Sequence, residues 1–86
     1  MKIKPDSIKK IEEATHYNDH TQALILVAEA LGLDDYVEAL DNLHNEHLEY
    51  GYLTEDIYQE RNIIYRELMR EVRANVKNAT DVIGAL

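Results

Sequence analysis

After Pro5 the chain has no further proline, and only three glycines, at positions 32, 51 and 84, interrupt it. Proline and glycine are the strongest local breakers, and the segments between them are rich in Leu, Ile, Ala and Glu, which favour helix. The placement of the breakers therefore predicts an all-α chain whose helices stop at the glycines. Eighty-six residues make one domain, residues 1–86, and a chain of this size buries only roughly 60 to 65 % of the surface its unfolded form exposes. It can build one small core.

The helix boundaries follow from capping chemistry. Pro5 is preset for a first helical turn, and Ile8, Ile11 and Thr15 share one side, so a short first helix is expected from Pro5 to about Thr15. Asn18 or Asp19 reads as the N-cap of a second helix that runs to Leu31 and stops at Gly32. Asp34 is expected to cap a third helix, ending at Tyr50 before Gly51. Thr54 then caps a long fourth helix reaching about Ala79, roughly 39 Å at ~1.5 Å per residue. The last fragment, TDVIGAL, adds a turn or frays. The expected fold is a small bundle of about four helices, with the third and fourth forming an antiparallel hairpin around Gly51–Thr54.

The second helix carries a stronger constraint. In TQALILVAEAL, Ala23, Leu24, Ile25, Leu26, Val27, Ala28, Ala30 and Leu31 leave only a narrow polar seam at Gln22 and Glu29. A helix that is apolar almost all round needs cover on nearly every side. Three other helices are a thin cover in so small a chain, so the expectation is a homo-oligomer in which a second copy completes it.

Charge separates the functional classes. The formal net charge is −8, and residues 11–60 hold thirteen Asp and Glu without one Lys or Arg. Such a block repels phosphate backbones, which disfavours direct nucleic-acid binding. The chain has no cysteine and no apolar run near the ~18 residues a membrane span needs, so neither thiol chemistry nor a membrane is expected, and a cytoplasmic location is. Arg66, Arg70, Arg73 and Lys77 form a basic stripe along the fourth helix, either solvated or set against the acidic block of a neighbouring copy.

Several polar residues stand where polarity is costly. HYNDH, residues 16–20, directly precedes the most apolar run; capping accounts for Asn18 and Asp19 but not for His16 and His20. His20 shares a side with Leu24, Val27 and Leu31, His47 falls within the apolar stripe of the third helix with His44 beside it, and Arg61 falls in the middle of that of the fourth. A hairpin reversing at Gly51–Thr54 brings Arg61 near His44 and Tyr58 near His47. Such a layer is either structural, with Arg61 paired to Asp19 or a glutamate, or a pocket in which His16, Asn18, Asp19, His20, His44, His47, Tyr58 and Arg61 take a small anionic or heterocyclic ligand. An HxxH pair alone is too weak to assign a metal site. No catalytic motif, phosphate-cradling glycine loop or cofactor signature is present, so enzyme chemistry is not expected.

Two stretches, NDHTQALILVAEALG and GYLTEDIYQERNIIYRELM, together resemble a pattern in short helical proteins encoded by bacteriophages. There Asn-Asp-His precedes an Ala-rich helix, and Gly-Tyr-Leu precedes a helix with spaced Tyr, Arg and Leu-Met. The resemblance covers about residues 11–70 and carries no residue roles. It implies a phage accessory, anti-defence protein of the host cytoplasm, acting stoichiometrically. One such action is a sponge that sequesters a nucleotide-like signal. The other is an inhibitor or DNA mimic that masks a basic host protein with Glu38, Asp41, Glu46, Glu49, Glu55, Asp56 and Glu60.

Overall fold

The structure, a computed structural model, describes all 86 residues. They form five helices: α1 (Pro5–His16), α2 (His20–Leu31), α3 (Asp34–Tyr50), α4 (Glu55–Asn75) and α5 (Ala79–Ala85). No helix is long and apolar enough to cross a membrane.

Local chemistry sets most of the junctions. Asn18 takes the left-handed conformation (φ 60°) after α1, one of the few non-glycine residues to do so at low cost. The Asn18 N–H then donates to the Thr15 carbonyl and the Asp19 N–H to the Ala14 carbonyl, a Schellman closure with Asn in glycine's usual place. Asp19 next caps α2, its Oδ1 accepting from the Gln22 N–H at 3.2 Å. Gly32 (φ 71°) closes α2 in the same way, with Leu33 N–H donating to the Ala28 carbonyl. At the next turn Gly51 (φ 76°) ends α3, and Thr54 Oγ1 accepts from the Ile57 N–H to start α4.

Three expectations need correction. Asp34 does not cap α3, because helix resumes immediately after Gly32 and Leu33 occupies the cap position with no side-chain bond; Asp34 and Asp35 instead sit in the positive first turn. The long fourth helix does not reach Ala79. It ends at Asn75, Val76 is extended and buried, and residues 79–85 form a separate helix whose Val82 and Ala85 are buried. The break is made by the other end of the chain: Lys77 N–H donates to the Met1 carbonyl, and the Asn78 side chain grips the Ile3 backbone. Asn78 Oδ1 accepts from Ile3 N–H at 3.0 Å while its Nδ2 donates to the Ile3 carbonyl at 2.9 Å, as a neighbouring strand would.

The third correction concerns α2. Thr21, Ala23, Leu24, Ile25, Val27 and Ala28 are buried, and α1, α3 and α4 of the same chain pack around them. The central helix is thus covered without a second copy, and its burial no longer argues for one. The core joins these residues to Ile11 of α1, Leu40 of α3, Leu68, Met69 and Val72 of α4, Val82 of α5 and the terminal Ile3. Leu43 and Ile57 are buried apart from it, near the α3–α4 turn.

Asn78 supplies two hydrogen bonds to partly buried backbone that no local element provides. At about 1 kcal/mol for each such bond, Asn78→Ala is expected to cost about 2 kcal/mol in urea unfolding, and Asn78→Asp, which keeps the acceptor alone, less than that. An unchanged midpoint for Asn78→Ala would remove the clamp from the account.

Candidate functional site

The face of α4 that carries Tyr58, Arg61, Asn62 and Tyr65 follows i, i+3, i+4, i+7, so these side chains form one patch. Opposite them α2 presents His20 and Leu24, one turn apart. With Leu86 at the end of the chain, the seven residues enclose a half-open cavity of about 290 Å³. That is near the lower end of small-molecule sites, roughly 300–1,000 Å³. It suits one planar ring with one charged group.

Arg61 dominates the chemistry. Its guanidinium is half-buried and donates one hydrogen bond within the chain, from Nη1 to Thr21 Oγ1 at 3.3 Å. Thr21 is itself the single buried polar residue of the chain, 4 % exposed. The cation also lies 5.6 Å from the centroid of the Tyr58 ring, within cation–π range. No carboxylate accepts a hydrogen bond from Arg61, so the structural alternative, pairing with Asp19 or a glutamate, is not what the fold builds. A guanidinium has five N–H donors, and one hydroxyl satisfies one of them.

The rest of the lining matches this charge. In a chain with 17 acidic residues, no Asp or Glu lines the cavity. Its polar side chains are a guanidinium, a carboxamide, an imidazole and two phenols, all able to donate to an anion. The Tyr58 and Tyr65 rings are partly exposed and offer flat faces for stacking. No group of three or more His, Cys, Asp or Glu side chains is placed to hold a metal ion.

The residues singled out from sequence divide accordingly. His20, Tyr58 and Arg61 line this one cavity. Asn18 and Asp19 are spent on the α1–α2 turn, and exposed His16 stacks edge-on against Tyr17, with centroids 5.4 Å apart, in a shallow surface cleft. His44 and His47 are half-buried on α3 and line no part of the cavity. Of the expected layer, Tyr58 and Arg61 line the cavity, and Arg61 hydrogen-bonds Thr21 on α2, while neither histidine lines the cavity or hydrogen-bonds either of them. Thr21, Leu24, Asn62, Tyr65 and Leu86 complete the surroundings and were not anticipated. The spacing of Tyr58, Asn62 and Tyr65 was a readable signal for two of them; Leu86 arrives only by the tertiary fold.

Comparison of the chain with protein-family models, with curated proteins and with solved structures gives no match.

Away from the cavity, one titratable group departs from its ordinary behaviour. Hydrogen bonding to the Glu67 carboxylate, then burial, then the negative charges of Glu67 and Glu71 hold the Tyr36 phenol above its usual value of 10.0, with Arg70 opposing. A raised folded value means that the neutral phenol is the stabilising form. Its contribution is complete below pH 10 and is lost as pH rises through the higher folded value. Spectrophotometric titration is expected to show a tyrosinate component above the ordinary phenol range that Tyr36→Phe removes; an identical curve for the variant would contradict the α3–α4 contact.

Proposed function

We propose that this chain is a non-enzymatic accessory protein of the phage anti-defence type that binds and sequesters a small nucleotide-like signalling ligand, as a homo-oligomer in the cytoplasm of a bacterial host. The observation that carries the ligand reading is Arg61, a half-buried cation that hydrogen-bonds no Asp or Glu, in a cavity that an acidic chain lines with neither of them. In this reading Arg61 meets the phosphate, Tyr58 and Tyr65 stack on the base, and His20 and Asn62 reach its polar edges. Leu24 and Leu86 form the apolar wall. Sequestration needs only affinity and copy number, and it is the stoichiometric action that the resemblance to short phage proteins implies.

Calorimetric titration with a panel of mono- and cyclic nucleotides tests this. One member is expected to bind and to raise the melting temperature further as its concentration rises above the dissociation constant. Charge-assisted hydrogen bonds are worth about 1.5–3 kcal/mol, so Arg61→Ala is expected to weaken that binding by roughly 10- to 150-fold while the circular dichroism spectrum is kept. Equal affinity in the variant would remove Arg61 from the site.

A second reading rests on a different observation. Glu38, Asp41, Glu46, Glu49, Glu55, Asp56 and Glu60 are all exposed, clustered on α3 and the start of α4. An inhibitor or DNA mimic that masks a basic host surface would use them. Reversing Glu38, Asp41, Glu46 and Glu49 to Lys is expected to abolish capture of such a partner and leave nucleotide binding intact; capture that survives the reversal would exclude it.

A further inference from the structure

The outward faces of α3 and α4 are complementary in register. On α3 the exposed residues Glu38, Asp41, Asn45 and Leu48 follow i, i+3, i+7, i+10; on α4 the exposed residues Ile63, Arg66, Arg70 and Arg73 follow the same spacing. Each set is a straight stripe about three turns long, directed away from the core residues of its own helix. When the two helices are laid antiparallel, Leu48 meets Ile63, Asn45 meets Arg66, Asp41 meets Arg70 and Glu38 meets Arg73. Every one of these pairs has residue numbers adding to the same total, so a single register satisfies all four. The apolar end is as exposed as the charged one, Leu48 at 67 % and Ile63 at 55 %.

These stripes do not meet within one chain. The α3–α4 seam is occupied by other residues: Leu43 and Ile57 are buried near the turn, and Tyr36 of α3 lies within electrostatic reach of Glu67 further along α4. We infer that α3 of one copy docks antiparallel along α4 of a second copy of this chain, with Asp41–Arg70 and Glu38–Arg73 as ion pairs and Leu48–Ile63 as the apolar contact. This rests on the homo-oligomer named above and is independent of the ligand. It replaces the burial of α2, which the chain satisfies by itself, with an interface whose two halves are both on the surface. Lys77 lies beyond the end of α4 and is not part of it. Exposed ion pairs contribute little singly, and two copies at net charge −8 repel, so the association is weak; salt screens the pairs and relieves the repulsion together.

Sedimentation equilibrium on the full chain tests it. The wild type is expected to self-associate below millimolar concentration. The pair E38R/D41R and the pair R70E/R73E, all at exposed positions, are each expected to sediment as monomers. Their equimolar mixture is expected to associate again, because each reversed stripe then finds a reversed partner. A wild type that stays monomeric to millimolar concentration, self-association of either reversed variant at wild-type strength, or a mixture that remains monomeric overturns the docking. Calorimetry on the same wild-type sample keeps the two readings apart: a monomer that binds nucleotide overturns the interface alone, and an oligomer that binds none overturns the cavity alone.

Discussion

Burial of α2 is the constraint on which the rest of the structure depends. Six of its twelve residues are buried, and the three helices around it are placed by that requirement. An apolar helix of this kind has to be enclosed or the chain aggregates. Enclosing it within 86 residues leaves little interior for anything else, and α3 in particular is left with only Leu40 and Leu43 buried. The outward acids of α3 and the outward arginines of α4 lie on the surface left over once both helices have packed against α2 and against each other.

The same constraint places the cavity. Thr21 is the one polar residue drawn into the interior with α2, and its hydroxyl finds a donor in Arg61. Arg61 is therefore held at the α2–α4 junction, not at the solvent edge where a long cationic side chain would otherwise extend. With Tyr58 against the cation and Tyr65 one turn on, a positive, ring-lined recess appears in a chain that is negative nearly everywhere else. The absence of Asp and Glu side chains from its lining distinguishes that recess from the exposed acidic faces.

Much of this was legible in the sequence, where local chemistry decided it. Asp19, Gly32, Gly51 and Thr54 mark the ends of α2, α3 and α4 because capping and left-handed turns depend on the residue in place. Arg61, Tyr58 and His20 stood out because helical periodicity placed a cation and an imidazole among apolar positions. What could not be read depended on contacts distant in sequence. Nothing around Val76 announces the end of α4; the Ile3 backbone, 75 residues from Asn78, makes the break. The pairing of Arg61 with α2 instead of His44 depends on how the hairpin rolls onto the core, which spacing alone does not determine. The cover over α2 is of the same kind: α1, α3 and α4 suffice to enclose it because of how they pack, which helical periodicity does not reveal.

The central claim is that the Arg61 cavity is a ligand site and not a packing irregularity. Native mass spectrometry of freshly purified protein, followed by denaturing extraction, tests it most directly. The account predicts a stoichiometric excess mass that extracts as a nucleotide-like anion and is absent from Arg61→Ala. An empty wild type that takes up no member of a nucleotide panel would contradict it.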